Sequence, residues 1–303
     1  MQILVIGSEG FIGSHCVDFF RGQGHQVQAA DIVERGDRPH YTRLYHPHTD
    51  FAALFANHSY DWCINASGSA HVGFSFAHPD TDYTLNVLNV HKILVAIRQH
   101  NPRCRLINFS SAAVYGNPRQ LPIRENAPTR PLSPYGFHKL QSEYLLKEYH
   151  TFFGLHTCSI RVFSAYGTRL RKQLFWDLYQ KSKTKATVEL FGTGEESRDF
   201  IAIQDLLRLV DVVGQQAEFA GEVINAGSGK ETRIREAVSI FFAHLDPKIA
   251  YRFSGEVKVG DPNNWCADIS LAQSLGFHPQ MSIHQGLKQY VEWLHTTDDP
   301  ASD

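Results

Sequence analysis

The chain has 303 residues, 43% hydrophobic and 20% charged, with a formal net charge of −2. That size and composition fit one large α/β domain or two smaller lobes of a globular enzyme. The near-neutral balance excludes the basic field that nucleic acid or anionic lipid requires, and no stretch approaches the ~20 apolar residues of a membrane span.

Taken in chain order, the first half alternates short β-branched runs with helical periods, the pattern of a parallel sheet wound by crossover helices. Strands are predicted at residues 3–6, 27–30, 62–65, 105–109 and 157–162, and helices at 11–21, 82–99 and 135–152. Ser133 offers a cap just before Pro134 and the last of these helices. Beyond residue 163 the alternation loosens. A helix is expected over 169–183, a strand over 187–191, a turn at Gly192-Thr193-Gly194, a helix over 204–213 and a strand over 222–225. Helices over 233–244 and 282–295 close the chain, and the tail 297–303 is expected to fray. The order suggests a dinucleotide-binding domain at 1–163 and 204–226, a substrate-binding domain at 164–203 and 227–303, and a cleft between them.

The five cysteines are scattered, and most lie in or beside apolar runs, so they read as reduced core thiols of a cytoplasmic protein. Met1 runs directly into an apolar strand without a basic segment, so no signal peptide is expected. The seventeen histidines form no ligand pair at metal-binding spacing, and no metal is expected.

Residues 3–13 read as strand, tight turn and helix start, with Gly7, Gly10 and Gly13 each three apart around Phe11 and Ile12. Such glycines let the backbone approach a pyrophosphate, which then rests on the helix N-terminus. Asp31 follows at the end of the second strand, where an acid accepts from the adenosine ribose. A carboxylate there repels a 2′-phosphate and favours NAD over NADP, although Arg35 and Arg38 lie nearby. Tyr135 and Lys139, four residues apart, share a helix face. A phenol has a free pKa of about 10, and an adjacent ammonium favours its anion. With Ser111 holding a substrate oxygen, this set suits hydride chemistry on a carbinol or ketone.

The Gly-x-x-Gly-x-x-Gly loop, together with Ser110-Ser111-Ala112-Ala113-Val114-Tyr115-Gly116 and the Tyr135-x-x-x-Lys139 segment, resembles the extended short-chain dehydrogenases/reductases. Within that group the chain is similar to the NAD-dependent epimerases and dehydratases of nucleotide sugars. Further matches lie at 161–167, 192–200, 225–229, 260–261 and 267–270, so the resemblance spans nearly the whole chain. It implies a Rossmann-type, doubly wound parallel α/β sheet with a smaller C-terminal α/β substrate lobe. Tyr135 would exchange a proton with the sugar C4 oxygen. Lys139 would hold the nicotinamide ribose and depress the Tyr135 pKa, and Ser111, with Ser110 as its rival in register, would bind the same oxygen. Asn86 would lie near the nicotinamide. Arg198 would clamp the substrate pyrophosphate. Ser164, Lys258 and Asp261 fall at further substrate-contact positions, but Ser164 replaces a common asparagine and Lys258 a common arginine. The family further implies a homodimer built on the helices at 82–99 and 135–152.

Absent residues narrow the chemistry implied. Sugar 4,6-dehydratases carry an acid pair where this chain has Ala112 and Ala113, and the 3,5-epimerising reductases carry a cysteine nearby. Alanine transfers no proton. An NAD-dependent nucleotide-sugar 4-epimerase remains, with an NAD(P)H-dependent 4-keto-6-deoxysugar reductase as the alternative and a non-catalytic NAD-binding relative as the lesser one. Neither the sugar nor the base is fixed, because those contacts come from loops around 69–80 and 169–185.

Overall fold

The computed structural model describes residues 1–34, 39–46, 49–256, 260 and 262–297. Its main sheet contains β1 (Gln2–Ile6), β2 (Gln26–Asp31), β3 (Tyr41–Arg43), β4 (Trp62–Asn65), β5 (Arg105–Ser111) and β6 (His156–Val162). After the short β7 (Ser164–Tyr166), β8 (Thr187–Leu190) and β9 (Ser197–Ala202), the chain returns to the main sheet as β10 (Ala220–Ala226). The order is β10-β6-β5-β4-β1-β2-β3, and every neighbouring pair is parallel.

A parallel sheet must be covered on both faces, which explains why residues 3–6 are apolar without interruption and fully buried. Ile3 and Val5 point to one face and pack with Cys16 and Phe20 of the Phe11–Gly22 helix and with Leu206, Val210 and Val213 of the Ile203–Gln216 helix. Leu4 and Ile6 point to the other, against Ile93 and Leu94 of the Asn89–His100 helix and Leu146 and Tyr149 of the Pro134–Phe153 helix. All five cysteines are buried and unpaired.

The remaining residues build two small sheets. One has the order β11-β9-β7, with β11 at Glu231–Arg233; the other pairs β8 with β12, at Ala250–Phe253. Their core is aromatic, with Tyr166, Phe175, Phe200, Phe241 and Tyr290 in mutual ring contact.

Two expected helices differ from what is observed. The 82–99 helix begins earlier and has three parts: an α-turn at Pro79–Tyr83, a π-helical turn at Thr84–Leu88, and the Asn89–His100 helix. The wide turn holds an extra residue without breaking the helix, so periodicity gives no warning of it. The 169–183 helix begins only at Gln173, because Arg169 and Gln173 both have φ of +67°, outside the right-handed helical region. The expected strands at 3–6, 27–30, 62–65, 105–109, 157–162, 187–191 and 222–225 all have counterparts, whereas β3, β7 and β11, with three residues each, are too short to carry a pattern, and β9 and β12 match no expected strand.

Candidate active site

Parallel strands deliver their following turns to one edge of the sheet. The order reverses beside β1, whose neighbours are β2 and β4, and a crevice at such a reversal is where ligands bind in open α/β sheets. Gly7, with φ of +81°, follows β1, and a Cβ there would lie 2.5 Å from the Ser67 amide nitrogen beyond β4. A Cβ on Gly13 would lie 2.0 Å from the Gly7 carbonyl oxygen, so this glycine permits the helix to start directly under the loop. Gly10 caps that helix without a side chain, leaving its first amides to a ligand. Phe11 and Ile12 are half-buried and pack on the core.

Asp31 ends β2 and is tied to the loop. Its Oδ2 accepts from the Glu9 amide at 2.8 Å and its Oδ1 from the Ile32 amide at 2.7 Å. A cavity of about 400 Å³ borders Ser8, Glu9, Gly10 and Phe11, and Arg21, Tyr41 and Arg169 also line it. Arg35 and Arg38 lie outside the described residues. Ser8 Oγ and both amide atoms of Asn86 are buried without a hydrogen-bond partner among the described residues. Asn86 sits in the π-helical turn, and a Cβ on Gly68, just past β4, would lie 2.5 Å from its Oδ1. A glycine cradle with unsatisfied polar atoms beside it fits a dinucleotide.

Across the crevice, Ser111 is the last residue of β5 and caps the short 3-10 turn Ala112–Val114, its Oγ accepting from the Ala113 amide at 3.1 Å. Ser133 caps the Pro134–Phe153 helix in the same way, accepting from the Gly136 amide at 3.2 Å. A Cβ on Gly136 would lie 2.8 Å from the Ala113 carbonyl oxygen, so the helix approaches this turn through a glycine. That approach sets Tyr135 beside Ser111, whose side chain lies near enough to favour its phenolate. Lys139 Nζ donates to the Phe109 carbonyl at 2.9 Å and lies 6.0 Å from the centre of the Tyr135 ring. Ser110 turns away, donating to Glu143 at 2.5 Å, so the serine at Tyr135 is Ser111.

Burial dominates the acidity of this pair. It pushes the Tyr135 phenol up to about 12; the Ser111 side chain opposes the rise and the charge of Asp82 adds to it. Burial also brings Lys139 down to about 8, against the charges of Asp82 and Glu143. The expected depression of Tyr135 by Lys139 is therefore not observed. Removing each group from water penalises its ion, and that is the largest effect on both.

The positions expected to hold the substrate are more dispersed. Ser164 opens β7 opposite Phe200 of β9, and Arg198 lies two residues earlier on β9. Arg198 Nη1 donates to the carbonyls of Ser197 at 2.8 Å and Asn263 at 3.2 Å, and the guanidinium lies 5.6 Å from the centre of the Trp265 ring. Glu195 pairs with Arg233 and Arg235, while Glu196 accepts from the amides of Thr193 and Gly194. Lys258 and Asp261 lie outside the described residues. The structure adds two groups that motif reading passed over. Asp82, fully buried, contacts His138 Nδ1 at 2.6 Å, and Glu143 forms a two-pronged pair with Arg161. A histidine inside the Tyr–Lys segment and a polar series at Asp82, Asn86 and Asn89 on an otherwise apolar helix were the available signals.

Known proteins share this arrangement. A putative UDP-glucose 4-epimerase of Methanocaldococcus jannaschii is 29% identical, covering 97% of this chain and 98% of its own length. A UDP-glucose 4-epimerase of Halalkalibacterium halodurans is also 29% identical, over 92% of this chain and 91% of its own. Among solved structures, UDP-glucuronic acid 4-epimerase from Bacillus cereus, in complex with UDP-glucuronic acid and NAD, superposes with a TM-score of 0.88 at 26% identity, covering 98% of this chain and 100% of that one. The family model described as NAD dependent epimerase/dehydratase matches residues 3–227, from β1 through the residue after β10. The chain belongs to that family.

Proposed function

We propose that this protein is an NAD-dependent nucleotide-sugar 4-epimerase with Tyr135 as its acid–base. The observation that carries the reading is the convergence of Ser111, Tyr135 and Lys139 at the end of β5, across the sheet reversal from the glycine loop. Gly7, Gly10, Gly13, Asp31 and Asn86 would hold the dinucleotide. The fixed Asp31 carboxylate, already accepting from three backbone amides, favours the ribose hydroxyls of NAD over a 2′-phosphate. When bound, the nicotinamide supplies reversible hydride transfer. Tyr135 takes the proton of the C4 hydroxyl as C4 is oxidised and returns one to the C4 oxygen as it is reduced from the other side. Ser111 holds that oxygen. Lys139 would hold the nicotinamide ribose. Ala112 and Ala113 offer no second proton donor, which disfavours dehydration.

The nucleoside diphosphate is assigned to Arg198, with Ser164, Lys258 and Asp261 completing the substrate side. A guanidinium suits two phosphates because its donors form a planar fork. The relatives named for UDP-sugars support uridine as the base. We divide the chain into a cofactor domain at 1–163 and 204–226 and a substrate domain at 164–203 and 227–303. The reading places it in the cytoplasm, in keeping with its unpaired thiols. Among the described residues no helix is long and apolar enough to cross a membrane.

A homodimer completes the proposal. The Pro134–Phe153 helix exposes Phe137, Tyr144 and Phe152, and Tyr83 and Leu88 are exposed on the helical stretch packed beside it. Leu146, by contrast, belongs to the core, and Val95 and Leu145 pack against it. An isologous four-helix contact would cover the exposed set; a monomeric mass by light scattering at micromolar concentration contradicts it.

The function is tested by incubating the protein and NAD with UDP-glucose, UDP-glucuronic acid and UDP-N-acetylglucosamine, then reading the C4 configuration by proton NMR. Conversion of a UDP-sugar, with no conversion of the free sugar, is expected. Equal turnover of a free sugar overturns the substrate assignment.

A further inference from the structure

Several acids are buried in this protein, and their pairing differs. Glu143 spends its carboxylate on Arg161 and Ser110. Asp199 accepts from the amides of Ser228, Gly229 and Ala267, and Asp205 accepts from those of Gln280 and Met281 and pairs with Arg208. Asp82 is fully buried yet makes a contact with only one oxygen, Oδ2 to His138 Nδ1; Oδ1 has no hydrogen-bond partner among the described residues. An incompletely satisfied carboxylate in a dry site is costly, and this one lies where it acts on both Tyr135 and Lys139. His138 stands between those two in sequence and is itself buried, with the Tyr83 ring edge-on at 5.5 Å.

We propose that Asp82, held by His138, is a positioning residue for Tyr135 and Lys139: its fixed negative charge retains the Lys139 ammonium in the pocket and sets the pH range over which the pair works. The inference rests on the acid–base role assigned to Tyr135 above. The groups that act on the pair are Ser111 and the Phe109 carbonyl from β5, Asp82 from the neighbouring helical stretch and Glu143 from their own helix; His138, with the Tyr83 ring against it, contacts Asp82. Arg161 of β6 neutralises Glu143 through a two-pronged contact. Asp82, the other carboxylate acting on Lys139, has no arginine, and its one contact is the His138 ring through Oδ2.

The sign follows from the charge. Without Asp82 the ammonium of Lys139 is less favoured and the phenolate of Tyr135 more favoured, so both groups release protons at lower pH. Activity rises with pH as the phenol ionises and falls as the ammonium is lost, so both limbs move the same way, as macroscopic values of the pair.

The test is the pH profile of kcat/KM for UDP-sugar epimerisation in the wild type and in Asp82→Asn, which keeps shape and a hydrogen bond to His138. Both limbs are expected to slide to lower pH by roughly one unit, the scale of a nearby charge. A uniform loss of rate with unmoved limbs means a purely structural role and overturns the proposal. Should Asp82→Asn not fold, Asp82→Asn with His138→Leu carries the same expectation. If the wild type has no C4 turnover, the functional reading fails instead. The proposal is then judged by phenolate absorbance of Tyr135, taken as the difference from a Tyr135→Phe counterpart, which must ionise at lower pH once Asp82 is neutralised. An unchanged titration overturns it.

Discussion

Arg161 and Lys139 are both buried cations near the end of the same sheet, and the fold treats them in opposite ways. Arg161 holds Glu143 with two nitrogens and also donates to the Tyr115 hydroxyl and the Glu125 carbonyl. Burial alone would lower its proton affinity, but these partners more than restore it. Lys139 has the Phe109 carbonyl, and burial wins, bringing it down to about 8. A saturated ion pair fastens β6 to the Pro134–Phe153 helix. An ammonium bonded to a single backbone carbonyl keeps its charge ready for something else. The same depth of burial thus serves stability at one position and chemistry at the other.

Removing the phenol breaks the chemical side of this contrast most directly. Tyr135→Phe should lower kcat by about 10²–10⁴-fold, the usual contribution of an acid–base group, with NAD affinity within a few fold and the urea midpoint little changed. Wild-type kcat in this variant would remove Tyr135 from the reaction. On the structural side, Glu143→Gln takes one partner from a buried pair and should cost about 3–5 kcal/mol in unfolding free energy. Urea denaturation measures it, and a loss near zero would show that Arg161 is satisfied without Glu143. Lys139→Met sharpens the pair of experiments. It should abolish turnover while costing less unfolding free energy at pH 7 than Glu143→Gln, because the lost penalty of burying an ammonium offsets part of leaving the Asp82 carboxylate and the Phe109 carbonyl without it; a loss as large as that of Glu143→Gln would make Lys139 structural as well.

Much of the catalytic half was legible because its geometry is local. Ser133, Pro134, Gly136, Tyr135 and Lys139 lie within one segment, so the cap, the helix start and the shared face all follow from spacing. The glycine loop reads in part the same way, since Gly13 is required by its contact with Gly7 inside one strand–turn–helix, whereas Gly7 is also held to glycine by the distant Ala66–Ser67 backbone. What could not be read depends on distant packing. Asp82 gains its meaning only when the π-helical turn packs its stretch against the Pro134–Phe153 helix. The acidity of Tyr135 depends on how dry its pocket is, which spacing does not reveal. Strand β9, which carries Arg198, runs from three polar residues into three apolar ones without alternating, and it pairs with β7 and β11.

The smallest effect belongs to that substrate side. Arg198→Ala should raise KM by about 1.5–3 kcal/mol, the scale of a hydrogen bond to a charged group, and leave NAD affinity unchanged. Steady-state kinetics with a UDP-sugar and an NAD titration separate the two. A parallel loss of NAD affinity would show that the two halves of the site are not independent.

The central claim, that C4 is oxidised and reduced again within one site, is tested most directly with a UDP-sugar deuterated at C4, incubated with the protein and NAD in ordinary water. The account predicts that the C4 epimer forms with its deuterium retained and without net accumulation of NADH. Deuterium lost to solvent, or NADH formed in proportion to sugar consumed, would contradict it.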